Sequence, residues 1–182
     1  MPSVLNFQSV ARHGMIKQLV ALNTLVYGGY LLSNGPVGLM YKKYLTLDAS
    51  SSFLSLPLCH FGHTNPLMFL ANSAALWTFG HRHIMKYGCS QFVMLWGASA
   101  VAASVLGVMD VRSNPNQVIA GGMAGTAGLL TYNAFANPAW FKFGRVNPLV
   151  WLTLLGLYGA FGNDKACVGG MGAGYLMFLM AL

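Results

Sequence analysis

The sequence predicts an all-α membrane protein with six transmembrane helices. Of its 182 residues, 55% are hydrophobic and only 7% are charged, there is no glutamate, and the mean hydropathy is +0.56. A water-soluble domain of this length needs several times more charge to cover its surface. A helix crosses the bilayer core, about 30 Å thick, with about 17 to 25 apolar residues. The chain offers six segments near that length.

The six predicted spans follow one another with turn-rich breaks between them. SNGPVG follows the first span, RSNPNQ the third, NPAW the fourth and GND the fifth. The fifth and sixth spans are the shortest. No linker is long enough to hold a soluble domain, so the chain is predicted to form a single transmembrane domain. After a basic flank at 1–14, the spans are 15–33, 58–80, 89–108, 118–136, 148–161 and 166–182.

Charges differ between the two sides of this six-span arrangement. The side with the N-terminus and the second and fourth loops has only cations, whereas the other side mixes cations and acids. Basic loops stay on the side of synthesis, so both termini are predicted to face the mitochondrial matrix or the cytosol. Anionic lipid, and not nucleic acid, is the expected partner of the basic side. The basic side carries Arg12, Lys17, Arg82, Lys86, Lys142 and Arg145, and the other carries Lys42, Lys43, Arg112, Lys165, Asp48, Asp110 and Asp164.

The N-terminal segment MPSVLNFQSVARHGMIK contains two cations and no acid. This composition fits either a mitochondrial targeting segment or the positive flank of the first helix. A start at Met1 without a clear cleavage signature favours an uncleaved N-terminus. The three cysteines lie at or inside apolar segments without metal-binding spacing, so they are predicted to be small packing residues rather than disulfide partners.

Two polar residues in the second span require partners. His63 and Asn72 are nine residues apart, which places them on one face of a helix. Polar side chains within a membrane are costly unless they form hydrogen bonds, so another helix is expected to supply partners on that face. Such residues either join helices together or form part of a site.

Glycines at helical spacing mark two further segments. In GGMAGTAGLL, Gly121 and Gly125 are four residues apart, and Ala124 lies next to Gly125. In CVGGMGAG, Gly170 and Gly174 have the same spacing. Pairs of this kind let helix backbones approach closely, so both are predicted to be helix-packing residues.

From about residue 58 onward, these three blocks resemble the rhomboid family of intramembrane serine proteases. In that family the second helix reads approximately F-x-H-x4-H-L-x-x-N-x3-L-x3-G. The spacing matches throughout, but the second histidine, which contributes to the oxyanion hole, is replaced by Met68, and the following leucine by Phe69. The matching positions are Phe61, His63, Asn72, Leu76 and Gly80.

The reactive residues of the family are also replaced. Its fourth helix carries G-x-S-G with the nucleophilic serine, where this chain has Ala124. Its sixth helix carries the general base in H-x-x-G-x-x-x-G, where this chain has Cys167. Acyl transfer needs a hydroxyl, a base and oxyanion donors. A thiolate at Cys167 would need a basic or cationic neighbour, and the sequence places Ala124 and apolar residues opposite it. The resemblance therefore implies a rhomboid-like bundle without enzymatic activity.

The first loop departs from the family pattern as well. Active rhomboids have a Trp-Arg pair in a long first loop, and the segment from SNGPVG to SFLSLP lacks one. An interfacial helix is expected near VGLMYKKYLTL, with Tyr41 and Tyr44 at the depth of the headgroups.

Cofactor sites receive little support from the sequence. Four of the five histidines lie in the second span or at its edges, whereas a bis-histidine haem needs ligands on different helices. No carboxylate lies within a predicted span, which weakens proton-relay, cation-transport and metal hypotheses. No metal or cofactor is predicted. The basic residues are either solvated anchors or contacts for an anionic phospholipid such as cardiolipin: His81, Arg82, His83, Lys86, Lys142 and Arg145.

Taken together, these features predict an inactive rhomboid-like accessory subunit of a mitochondrial inner-membrane complex, in the respiratory chain or ATP synthase. Lipid-exposed Trp77, Trp96 and Trp151 would then meet helices of partner subunits. The alternative is a derlin-like pseudoprotease that binds transmembrane clients in protein import or quality control. That role would also fit the endoplasmic reticulum membrane, with cytosolic termini.

Overall fold

The computed structural model describes residues 4–32, 35–114, 116, 118–120, 123–141 and 165–181. Their regular structure is helical, with one isolated bridge between Leu47 and Ile119, which confirms the predicted all-α class. The fifth predicted span, 148–161, lies outside the described residues. The helices are α1 (Val4–Leu31), α2 (Pro36–Leu45), α3 (Ser55–Leu58), α4 (Pro66–Ala75), α5 (His81–Tyr87), α6 (Cys89–Ser113), α7 (Met123–Ala136) and α8 (Lys165–Met180).

The second predicted span begins later than expected. The Asn65 side chain accepts hydrogen bonds from the backbone N–H groups of Leu67 (2.8 Å) and Met68 (3.4 Å), and Pro66 is the first helical residue. An Asn cap followed by Pro is a strong helix start, so α4 begins at Pro66 and not near Leu58. One π-helical turn, Leu76–Gly80, joins α4 to α5 in a continuous helical segment.

α6 is longer than its predicted span. The helix runs on from Val108 to Ser113 and therefore includes Asp110, which is buried. Asp110 lies two residues beyond the predicted third span and pairs there with Lys165, so the expectation that no carboxylate lies within a span stays a prediction. Within the described part of the chain, α6 is the single helix that is both long and apolar enough to cross a membrane, and α8 is apolar but shorter.

α7 lies at the centre of the helical packing. Every residue from Ala124 to Leu129 is buried, and so are four of the next five. A helix that is apolar or small on all sides can be enclosed by other helices. α4, α6 and α8 all contact it. The buried side chains of α7 are therefore covered on several sides by protein.

The large apolar side chains form a cluster beside α7. Leu129 and Tyr132 of α7 pack there with side chains from α1, the π turn, α5 and α6. In a membrane, lipid is as apolar as such side chains, so close packing rather than transfer from water stabilises their association. The buried members are Ile16, Leu76, Ile84, Phe92, Leu95, Leu129 and Tyr132.

Side-chain contacts fix the relative directions of α6 and α7. The Gln91 Nε2 group donates a hydrogen bond to the Tyr132 hydroxyl (2.9 Å) at one end, and Ala103 contacts Ala124 toward the other. Higher residue numbers in one helix thus meet lower numbers in the next. The two helices are antiparallel.

α7 and α8 instead run in the same direction. Gly170 lies against Ala124, and Gly174, one turn later, lies against Gly128. α8 is correspondingly antiparallel to α6, since Lys165 at its first residue pairs with Asp110 near the end of α6.

The segment after α2 is anchored to the chain before α7. Leu47 and Ile119 exchange backbone hydrogen bonds of 2.7 and 2.8 Å. The Asp48 carboxylate accepts hydrogen bonds from the Ser50 hydroxyl and N–H (both 2.8 Å) and from the Ser51 hydroxyl (3.0 Å). These bonds, led by the one from the Ser50 hydroxyl, hold the pKa of Asp48 below its usual value. Hydrogen bonds between its own polar groups thus stabilise the turn at residues 48–51.

Tyr41, in α2, is turned inward. Its hydroxyl accepts a hydrogen bond from the His63 backbone N–H (2.7 Å) and donates one to the His63 carbonyl (3.1 Å). The side chain is buried within the protein, and its depth relative to the headgroups stays a prediction. The expected helix itself is present as Pro36–Leu45, and Tyr44 is half-buried. α2 is held through Tyr41 to the segment that leads into α4.

Candidate functional site

The interface of α7 with α8 contains the positions that match the reactive residues of the rhomboid pattern. A Cβ atom added to Gly170 would overlap the carbonyl oxygen of Ala124, and one added to Gly174 would overlap that of Gly128. The two backbones therefore touch without intervening side chains. Only glycine at positions 170 and 174 permits this approach.

Methyl groups surround Ala124. Its side chain packs in a buried cluster with Ala103 of α6 and Ala166 of α8, with Ile119 at the edge. Ala124 is only 3% exposed. The position of the family's nucleophile thus has neither a hydroxyl group nor open space for a substrate carbonyl.

Cys167 lies on the stripe of α8 that faces α7. It precedes Gly170 by three residues and Gly174 by seven, which is the spacing of one helix face. Its thiol is buried, with 1% of the residue exposed. The structure thus brings positions 124 and 167 onto facing helix surfaces near the start of both helices.

Asn72 has a partner on α7. The Thr126 hydroxyl donates a hydrogen bond to the Asn72 side-chain oxygen, and both residues are buried. Thr126 follows Ala124 by two residues. Its hydroxyl, which is near Ala124 along α7, already donates a hydrogen bond to α4. The sequence gives a reason to expect a partner for Asn72 but does not identify Thr126.

His63 does not lie on the helix face of Asn72, because it precedes α4. The residue is 1% exposed, and among the described residues its ring nitrogens have no hydrogen-bond partner. The ring packs edge-on against Phe69, with 5.6 Å between centroids. Its predicted role on a shared face with Asn72 is therefore wrong, since the helix starts at Pro66.

Met68 is half-buried in the first turn of α4. A thioether has no hydrogen to donate, so it cannot replace the histidine that helps to bind an oxyanion. Ala124 is not a nucleophile, Cys167 does not supply an imidazole base, and Met68 does not supply a donor to an oxyanion. The matched positions consequently cannot carry out serine-protease chemistry.

Gly125 and Trp96 form a contact that the sequence does not reveal. A Cβ atom on Gly125 would lie 2.6 Å from the indole nitrogen of Trp96. The indole also packs against Phe61, with 5.5 Å between ring centroids. Trp96 is therefore turned toward α7 and only partly exposed, so the prediction that it faces lipid is wrong. Trp77 is 55% exposed, and Trp151 lies outside the described residues.

Two further glycines are packing residues. A Cβ atom on Gly128 would overlap the Ser99 hydroxyl, and one on Gly169 would lie 2.9 Å from the carbonyl oxygen of Ala102. Gly128 allows α7 to approach α6, and Gly169 allows α8 to approach α6. Both glycines lie among other small residues in the sequence, and this pattern indicates close helix packing. Gly121 lies outside the described residues.

His83 belongs to a buried polar network and not to a lipid-facing surface. It is 0% exposed, and its Nδ1 lies 3.2 Å from the Asn133 side-chain oxygen. The Asn133 amide nitrogen donates to the Leu129 carbonyl (2.8 Å), so its oxygen accepts from His83. The prediction of a lipid contact is wrong for His83, because this residue lies on the face of α5 that meets α7.

The same network extends to the end of α7. The Asn137 amide donates to the Asn133 side-chain oxygen (3.1 Å) and to the Tyr87 hydroxyl (3.0 Å). The Lys86 ammonium donates to the Asn137 side-chain oxygen and lies 5.9 Å from the Trp140 ring centroid. Lys86 is thus held by protein groups, although it remains exposed.

Replacing His83 with alanine should lower the free energy of unfolding by about 2 to 4 kcal/mol, because it empties a fully buried site and removes one of the two donors to the Asn133 side-chain oxygen. Arg82, its exposed neighbour, is the matched control. Replacing Arg82 with alanine should change stability by less than about 0.5 kcal/mol. Denaturant titration in detergent micelles measures both. Equal effects of the two variants would place His83 outside the core.

The other residues predicted to contact lipid have varied surroundings. Arg82 is exposed, whereas His81 lines a groove of about 120 Å³ with Ile16, Lys17 and Trp77. Lys142 and Arg145 lie outside the described residues. On the predicted basic side, the described residues include exposed cations at Lys17, Arg82 and Lys86.

Buried His60 has a hydrogen-bond partner on α6. The His60 Nε2 lies 2.9 Å from the Ser104 hydroxyl, which donates its own hydrogen to the Leu56 carbonyl (2.9 Å). His60 therefore donates to Ser104 and joins the segment before α4 to α6. In the described part of the chain, no three histidine, cysteine or aspartate side chains come together as a metal site.

Asp110 and Lys165 form a site that sequence reasoning did not select. The Lys165 ammonium pairs with one Asp110 carboxylate oxygen, whereas the other oxygen is buried without a hydrogen-bond partner among the described residues. Both residues fall on the same side when charges are assigned to alternating loops. Their assignment to the same side makes a contact between them possible, but it does not identify them as a pair.

No model of a known protein family matches this sequence, and no curated protein matches it either.

Proposed function

We propose that the chain is a catalytically inactive rhomboid-like membrane protein that serves as a structural accessory subunit of a mitochondrial inner-membrane complex. The observation that carries the proposal is the burial of Ala124 beneath the backbone of α8 at Gly170. The residue that matches the nucleophile is buried, and its methyl group cannot attack a peptide bond. The helices that would bear nucleophile and base nevertheless pack together through glycine.

The helix directions support a six-span arrangement. α1 is antiparallel to the α4–α5 segment, since Ile16 packs at Gly80 whereas Tyr27 stacks on Phe69 with 4.5 Å between centroids. α6 is antiparallel to α7, and α7 is parallel to α8. These are the relative directions expected of the third, fourth and sixth of six consecutive spans that alternate in direction.

The exposed surfaces support a scaffold. α6 presents an apolar outer stripe, and its members are 51% to 66% exposed. Side chains of this kind fit lipid or the helices of other subunits. A respiratory complex or ATP synthase in the inner membrane fits the acid-free N-terminal segment and the basic side. The stripe comprises Val93, Met94, Val101, Val105 and Met109.

Purification from mildly solubilised membranes tests this role. An affinity-tagged chain should migrate on a native gel within a large complex, and mass spectrometry of that band should find partners in fixed stoichiometry. Migration as an isolated 19.5 kDa chain with its detergent would contradict the proposal.

The same purification separates scaffolding from client binding. A client-binding pseudoprotease would present an apolar surface beside α4, where Leu67, Leu70 and Trp77 are 72%, 60% and 55% exposed. It would recover many transmembrane proteins in substoichiometric amounts. That result would favour derlin-like import or quality control over a subunit role.

A further inference from the structure

We propose that the groove between the end of α6 and the start of α8 binds the headgroup of a phospholipid that carries both a phosphate and a primary ammonium, as in phosphatidylethanolamine. The groove has a volume of about 410 Å³. It lies outside the α7–α8 interface that contains Ala124. Its lining comprises Leu106, Met109, Asp110, Ser113, Lys165 and Val168.

A buried acceptor without a partner marks the polar end of this groove. The Asp110 side chain is 1% exposed, and its Oδ1 pairs with Lys165. Its Oδ2 is buried without a hydrogen-bond partner among the described residues. A buried carboxylate oxygen left unpaired is costly, so a donor from a bound molecule would stabilise it.

Lys165 provides the complementary charge. Its side chain is 52% exposed, and an ammonium has three hydrogens, so donors remain after the bond to Asp110. A lipid phosphate beside Lys165 would accept from them. The ion pair is neutral overall, which favours a zwitterionic headgroup over one with net negative charge. The headgroup ammonium would donate to Asp110 Oδ2.

The apolar walls fit the rest of the lipid. Met109 is 60% exposed and Val168 is 38% exposed. α6 has 25 residues and is therefore about 37 Å long, which exceeds a bilayer core of about 30 Å. Asp110, in its last turn, thus reaches headgroup depth, with the apolar walls extending toward the acyl chains.

Native mass spectrometry of the purified full chain tests the site with three lipids of identical acyl chains. Phosphatidylethanolamine should bind at least about tenfold more tightly than phosphatidylcholine, whose quaternary ammonium has no hydrogen to donate. It should also bind more tightly than phosphatidylglycerol. Equal binding of all three lipids, or binding of none, would overturn the proposal.

Two variants test the polar contacts to the headgroup and the apolar walls of the groove separately. Asp110→Asn leaves Lys165 as a net positive charge, so the preference should move from phosphatidylethanolamine to phosphatidylglycerol. Val168→Trp narrows the groove without altering charge and should weaken binding of phosphatidylethanolamine about tenfold. An unchanged lipid preference in the first variant would overturn the charge assignment. Unchanged affinity in the second would show that lipid binds elsewhere or that a partner protein fills the groove.

Lys43→Met is the matched control for the charge change. Lys43 is exposed in α2, away from the groove, on the same predicted side of the membrane as Lys165. The control should keep the preference for phosphatidylethanolamine, whereas Lys165→Met should lose it. The same loss in both lysine variants would indicate a general surface-charge effect and contradict a built site. These outcomes do not depend on whether the chain is a scaffold, because purification of the native complex tests that role separately.

Discussion

Replacing Gly170 with alanine is expected to lower the free energy of unfolding by about 3 kcal/mol. The added Cβ atom would overlap the carbonyl oxygen of Ala124, which is backbone and cannot move aside as a flexible side chain can. α7 and α8 would have to separate, and the buried cluster around Ala124 would lose its packing. Denaturant unfolding in detergent micelles, followed by circular dichroism, measures the change.

Gly172 supplies the matched control two residues away on the same helix. No atom lies within 4 Å of a Cβ atom placed there. Replacing Gly172 with alanine should be neutral, or should stabilise the helix by up to about 1 kcal/mol, because alanine has the higher helix propensity. If both alanine variants were equally stable, α7 and α8 would not touch as described.

Replacing Lys165 with methionine should destabilise the fold by about 2 to 3 kcal/mol. The change leaves the buried Asp110 carboxylate without its counter-ion, a defect that costs about 3 to 5 kcal/mol in a fully buried pair. The half-exposed ammonium reduces that figure through solvent screening. The measurement is again denaturant unfolding in micelles.

A second substitution should restore most of the lost stability. In the double variant Asp110→Asn, Lys165→Met, the buried group is a neutral amide and no longer needs a counter-ion. Lys43→Met controls for the loss of an exposed lysine and should change stability by less than about 0.5 kcal/mol. A double variant no more stable than Lys165→Met would show that the ion pair does not explain the loss.

The sequence predicts the helical class well because low charge and long apolar segments determine it directly. Glycine spacing also selects Gly170 and Gly174 without coordinates, since residues four apart share a helix face. It cannot tell which neighbour each glycine meets. Gly125 illustrates this, because it accommodates the Trp96 indole and not a helix backbone.

Inward and outward faces are harder to predict in a membrane helix. The lipid-facing side is as apolar as the core, so hydrophobic periodicity carries little information about orientation. The sequence places Trp96 and His83 at the surface, whereas contacts with α7 turn both inward. His63 lies off the predicted helix face for a local reason, because the cap at Asn65 begins the helix after it.

An ion pair accompanies the extension of α6 beyond the predicted third span. A carboxylate in an apolar segment normally marks the end of a span, and the predicted third span ends at Val108, two residues before Asp110. Lys165, distant in sequence, allows the helix to continue to Ser113. Pairings of this kind depend on helix directions, which the sequence indicates through the charge bias of its loops without identifying partners.

The absence of a nucleophile at position 124 is tested most directly with a serine-directed fluorophosphonate probe. The purified chain, reconstituted in lipid, would be labelled beside an active rhomboid protease under the same conditions. We expect an adduct on the protease and none on this chain, because Ala124 has no hydroxyl and is buried against α8. A covalent adduct on any residue of α7, located by peptide mass spectrometry, would contradict the assignment of an inactive site.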